Sequence, residues 1–179
     1  MHRTDLLSKL RTYTDRWPAE AARTHRLRTF VESHPDCFER TLPVAHITGS
    51  AWVVNQTGTH VLLTHHKKLD MWLQLGGHAD GNTDILDVAQ REAVEESGIA
   101  DLQPMGPAIF DLDIHRIPAR KTEPAHDHHD LRFVFQCLEN EEYRVSDESH
   151  DLAWVEIQSL EEYTAEESML RMKDKWLNR

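Results

Sequence analysis

The stretch that decides how this chain folds begins at Gly76-Gly77-His78 and closes on Arg91-Glu92-Ala93-Val94-Glu95-Glu96-Ser97-Gly98-Ile99. Residues 83–97 predict a helix, and Gly98 ends it, since glycine readily takes the left-handed conformation that stops a helix. On that helix Glu92, Glu95 and Glu96 stand at i, i+3 and i+4 and so share one face. Ile85, Ala89 and Ala93 line a neighbouring face suited to packing on a sheet. Like charges at this spacing repel by roughly a few tenths of a kcal/mol per pair, and the C-terminal end of the helix dipole disfavours anions as well. A hard divalent cation with oxygen ligands offsets both costs. A solvated acidic face fits the spacing equally well when the helix is taken alone. The glycine pair just ahead of the helix, which permits close backbone approach, shifts the reading towards a site.

Outward from this segment the pattern changes period. Val44–Asn55 and His60–His66 read as strands joined by the turn Asn55-Gln56-Thr57-Gly58. Trp72-Leu73-Gln74-Leu75 is a short extended run leading into the glycines. Ile109–Ile117, Leu131–Leu138 and Leu152–Ile157 read as further strands, with 118–130 as a polar loop and 159–177 as a C-terminal helix. Two helices, 3–14 and 19–33, precede all of this and are too short to bury a core of their own. The expected fold class is therefore α+β, divided into an N-terminal helical extension over 1–40 and a main domain over 41–179.

The 179 residues suffice for one domain of ordinary size. A net charge of −11 repels phosphate backbones and argues against general nucleic-acid binding. No apolar run approaches the roughly 20 residues of a membrane span, and the first residues read as an amphipathic helix without a signal-peptide core. Two cysteines without metal-type spacing suit buried thiols in a reducing cytoplasm.

Gly77, Arg91-Glu92, Glu95-Glu96 and Gly98-Ile99 together resemble the Nudix box of the Nudix hydrolases in order and spacing. That motif reads Gly, five residues, Glu, seven residues, Arg-Glu, an aliphatic residue, any residue, Glu-Glu, any residue, Gly and an aliphatic residue. Two positions depart: Thr83 stands where the first Glu belongs, and Ala93 replaces the aliphatic residue. Thr83 is expected to cap the helix, with Asp84 or Asp80 supplying a nearby charge. The resemblance implies an α/β/α sandwich with a mixed sheet, and hydrolysis of a diphosphate linkage in a small molecule such as a nucleoside diphosphate derivative. It implies Mg²⁺, with Mn²⁺ as a substitute, held by Glu92, Glu95, Glu96 and the carbonyl of Gly77. It places Arg91 beside a site glutamate to orient it, and gives Glu92 and Glu96 catalytic roles. A further carboxylate from a late loop is expected at Glu148, next to a solvated acidic turn as the alternative.

Thirteen histidines are many for this length. His78 follows the glycine pair. His126 and His128 alternate onto one strand side with Asp130 and could bind a transition ion such as Zn²⁺. They could equally contact substrate, and His78, His128, Arg132 and Trp72 are the candidate substrate-binding residues. Lys67, Lys68, Arg116, Arg120 and Lys121 are further basic candidates, and Trp52, Phe110, Phe133 and Phe135 read as core. The Gly77-His78 pair is similar to one in isopentenyl diphosphate isomerases, which share the fold and use histidine ligands. That reading, and a binding module that has lost catalysis, stand as the alternatives. The added helices are compatible with a homodimer.

Overall fold

The computed structural model describes residues 2–119 and 124–179. In chain order it begins with helices α1 (Thr4–Arg16) and α2 (Ala21–Ser33) and strands β1 (Ala45–Val54), β2 (His60–His66), β3 (Met71–Leu73) and β4 (Leu75–His78). Helix α3 (Ile85–Ser97) follows, then β5 (Leu102–Pro104), β6 (Asp111–Ile117), β7 (His126–Cys137), β8 (Ser149–Glu156) and helix α4 (Glu167–Leu177).

Strand β1 is the spine, buried along its whole length. It runs parallel to β7 from Ala45 opposite Asp127 to Val54 opposite Gln136. Its other edge is shared by two antiparallel partners: β4 against residues 48–51 and β2 at Val54. β2 carries β3 and β8, and β7 carries β6 and β5. The sheet is therefore mixed, as the resemblance implies.

Alternation along β1 builds two cores. Ile47, Ala51 and Val53 face α1, α2 and α3, while Trp52 and Val54 face α4 and the short 3-10 turn Ile157–Glu162. This gives the α/β/α layering. Gly49 lets α3 lie close to the spine, because a Cβ there would meet the Ile85 and Val88 side chains at 3.0 Å. On that face of α3, Ile85, Val88, Ala89 and Ala93 are buried, as the helical period requires.

Several expectations need correction. β7 starts at His126, five residues ahead of the expected strand, because β1 offers it a parallel partner from Ala45 onward. The polar loop is correspondingly shorter. The C-terminal helix is broken, with residues 163–166 separating the 3-10 turn from α4. Thr83 does not cap α3; Asp84 does, its side chain accepting from the Asp87 N–H at 3.4 Å. Asp80 is paired with Arg40, whose guanidinium bonds both carboxylate oxygens, and it still feels His78 and, on α3, Arg91.

A buried ionic cluster ties the N-terminal helices to the sheet. Asp111 on β6 is fully buried and accepts from Arg132 at 3.1 Å, Arg171 at 2.8 Å and Lys175 at 2.7 Å. Lys175 also reaches Glu20 at 2.6 Å and the Tyr13 hydroxyl at 2.6 Å. Burial by itself would raise the Asp111 carboxyl, but Arg171, Arg132 and Lys175 outweigh it and hold the group below the usual carboxylate range.

Candidate active site

The acidic helix meets the glycine pair at close range. Glu96 is only 8% exposed, and its Oε1 accepts a hydrogen bond from the Gly76 N–H at 2.7 Å. Glu92 lies against Gly77, where any Cβ would run into its carboxylate. A Cβ at Gly76 would likewise collide with Ser50 on β1. Both glycines are needed because β4 is pinched between β1 and α3, leaving no room for side chains.

Arg91 organises the outer edge of the cluster. It pairs with Glu92 at 2.9 Å and Glu95 at 3.5 Å, and donates to the His78 carbonyl at 3.2 Å. The three glutamates are not equivalent. Glu95 stands at the rim with its side chain 60% exposed, whereas Glu92 and Glu96 point inward. Glu148, from the turn before β8, lies near enough to add negative potential at both Glu92 and Glu96.

The electrostatic result is strong. Burial pushes the Glu96 carboxyl up to about 8; the Gly76 N–H opposes this, while Glu92, Glu148 and Glu95 reinforce it. Glu92 is also raised by burial, against the pull of Arg91. Four carboxylates thus gather around Arg91, which pairs with two of them, an arrangement that an oxygen-seeking divalent cation neutralises. The donor set fits such an ion, because every inward group offers a hard oxygen.

Trp72 is half-buried and stacks on His65 with ring centroids 5.0 Å apart and planes 15° from parallel. Arg132 is not a phosphate ligand. Its side chain is 3% exposed and is consumed by Asp130 at 2.7 Å and Asp111 at 3.1 Å. Arg116 is paired with Asp127 at 3.0 Å, and Lys67 bonds the Asp147 carbonyl at 2.8 Å. Arg120 and Lys121 lie outside the described residues. Trp52, Phe110, Phe133 and Phe135 are buried in the core.

His126 and His128 do share a strand side with Asp130, but Asp130 does not join them as a ligand. Thr48 at 2.9 Å, Ser50 at 2.7 Å and Arg132 surround its carboxylate. Instead, His78 and His128 meet His46, a residue the sequence reading passed over. Its signal was the alternation His46, Thr48, Ser50 inside an otherwise apolar strand, which marks one polar face.

A mixed-sheet sandwich with a carboxylate-bearing helix clamped on a glycine strand defines the class of this protein. The chain belongs to the NUDIX family: the NUDIX domain matches residues 45–176. Solved structures of similar fold include a C. elegans Ap4A hydrolase, at TM-score 0.60 and 16% identity, covering 74% of this chain and 95% of that one. A MutT protein from Methanosarcina mazei Go1 matches at TM-score 0.57 and 18% identity, over 76% of this chain and 96% of the other. A NUDIX-family hydrolase from Clostridium perfringens matches at TM-score 0.55 and 25% identity, over 74% and 97%. No curated protein matches the sequence. Among the described residues no helix is long and apolar enough to cross a membrane.

Proposed function

We propose that this chain hydrolyses a diphosphate linkage in a nucleoside diphosphate derivative or a similar small molecule. Members of the family are hydrolases of pyrophosphate bonds. The observation that carries the reading is the buried Glu96 carboxylate, held on the Gly76 N–H beside Glu92 and Glu148. Mg²⁺, with Mn²⁺ as a substitute, is the ion whose ligand preference suits Glu92, Glu95, Glu96 and a Gly77 carbonyl. When bound, such an ion neutralises diphosphate oxygens and lowers the pKa of water.

The chain's own residues then divide the work. Glu96 is fixed in orientation by the Gly76 N–H, so it meets its partner without rotamer loss. Arg91 holds Glu92 and, through the His78 carbonyl, locks α3 to β4. Glu92, whose carboxyl is raised, is suited to accept the proton of the attacking water, and Glu148 at the solvent edge is suited to pass it on. Trp72 offers a flat half-buried ring for a base or other planar group. In this reading residues 41–179 form the hydrolase unit and residues 1–40 form a helical extension.

The test is a hydrolysis screen with Mg²⁺ over dinucleoside polyphosphates such as Ap4A, nucleoside triphosphates, nucleotide sugars and prenyl diphosphates. One class should release two phosphate-bearing products, and Glu96→Gln should abolish that release. No turnover of any diphosphate by a protein that still binds one would favour a binding module instead.

A further inference from the structure

We propose that His46, His78 and His128 form a second metal site, one of nitrogen ligands for a borderline transition cation such as Zn²⁺, separate from the carboxylates of α3. The three residues come from β1, β4 and β7, and one ligand atom from each lies within 4.8 Å of the others. Sheet register brings them together. His46 is directly opposite His128 on the parallel strand, and His78 is opposite Thr48, two residues further along β1. The ring centroids are 4.8 Å apart for His46 and His128, 5.1 Å for His46 and His78, and 5.1 Å for His78 and His128.

The observation that points to a ligand is His46 itself. It is 3% exposed, and among the described residues neither of its ring nitrogens makes a hydrogen bond. A buried polar group left without a partner loses its hydration with no compensating bond, so such groups are rare unless something else occupies the space. The carbonyl of Leu42 lies near the ring and favours its protonation, but burial and the neighbouring His78 and His126 outweigh it. His46 is pushed down to about 4, and burial together with His78, His115, His46 and His126 pushes His128 down to about 2. An imidazole ligates a metal through a ring nitrogen that carries no proton, and an enclosed nitrogen without a hydrogen-bond partner, as in His46, is placed for that role.

A fourth imidazole, His126, adjoins His128 at the edge of the trio, outside the three whose ligand atoms converge within 4.8 Å. His126 faces the Pro124 carbonyl through Nδ1 at 2.9 Å, and its Nε2 is 3.3 Å from Nε2 of His128. Donation from Nδ1 to that carbonyl leaves the Nε2 lone pair aimed into the cluster, the way ligating histidines are commonly oriented. Two ligands 2.0–2.1 Å from one tetrahedral ion stand roughly 3.3–3.4 Å apart, the separation this pair already has. Three or four imidazoles select zinc, copper, nickel or iron over magnesium. With three of them bound, one coordination position stays open to water or a substrate oxygen. His78 directly follows Gly77, which packs on Glu92, so an ion here would sit next to the carboxylate site without sharing its ligands.

The test uses the full chain, stripped with chelator, re-equilibrated with Zn²⁺ or Co²⁺ and passed through a desalting column. We expect one Zn²⁺ retained per chain by elemental analysis, and tetrahedral Co²⁺ absorption bands in the visible. His128→Ala should weaken Zn²⁺ at least about 100-fold, the upper range lost when even an outer partner is removed. The double variant Glu95→Gln, Glu96→Gln should retain Zn²⁺ as the parent does. If His128→Ala does not fold, His78→Asn gives the same reading, with loss of the Zn²⁺-dependent rise in thermal midpoint as a second measure. Failure to retain Zn²⁺, or retention abolished by the glutamate variant and untouched by the histidine variants, overturns the proposal. Mg²⁺-dependent hydrolysis is scored separately, so that either site can fail alone.

Discussion

Glu96→Gln tests the electrostatics of the site without any substrate. A carboxyl raised from 4.5 to about 8 disfavours the charged fold by up to ~5 kcal/mol at ~1.4 kcal/mol per pH unit. Between those two values the folded chain binds more protons than the unfolded one. Stability of the metal-free protein therefore falls as pH rises through this window and levels off above about 8. Gln keeps an oxygen for the Gly76 N–H but brings an NH₂ group needing partners, which returns about 1–3 kcal/mol. The net expectation at pH 8.5 is stabilisation by about 2 kcal/mol, or roughly 4–8 °C in midpoint for a chain of this size. Near pH 5 folded Glu96 is neutral and its burial costs less than about 1 kcal/mol, so the amide's own cost prevails and the variant should be no more stable than the parent, or less. Thermal melts of both proteins in chelator, taken from pH 5 to 9, measure this directly. Added Mg²⁺ should reverse the order, raising the parent's midpoint and leaving the variant's unmoved. Parallel pH profiles for the two proteins would refute the claim that Glu96 carries an uncompensated charge in the fold.

Two other substitutions probe the surroundings. Gly77→Ala forces a methyl group into the Glu92 carboxylate; it should cost about 1–3 kcal/mol in denaturant melts and lower hydrolysis at least tenfold, and a variant with parental rates would show that the close approach is dispensable. Asp111→Asn leaves Arg132, Arg171 and Lys175 without their shared anion; breaking a buried pair costs about 3–5 kcal/mol, so the midpoint should drop by roughly 10 °C. Because Asp111 is held below its ordinary value, the parent's advantage over that variant should fade as pH drops below the unfolded carboxylate range.

The sequence by itself determined everything that depends on spacing along one segment. The glutamates at i, i+3 and i+4, the apolar face of α3, the stop at Gly98 and the glycine pair before the helix are all local, and chain geometry forces them. The strands were likewise visible from their period, though their ends were not: Leu131 marked the expected start of one, and only pairing with β1 from Ala45 onward carries β7 back to His126. Tertiary structure alone decided what crosses between strands and layers. It divided three similar glutamates into two buried ones and one at the rim, and enclosed Arg132 between Asp130 and Asp111. It also set His46 beside His128 and near His78, residues 82 and 32 positions away in the chain. Sheet register and burial have no trace in nearest-neighbour spacing, because the partner of each strand residue lies on another segment. The charge a carboxyl or imidazole carries follows from that enclosure, since it is the removal of water that sets its proton affinity.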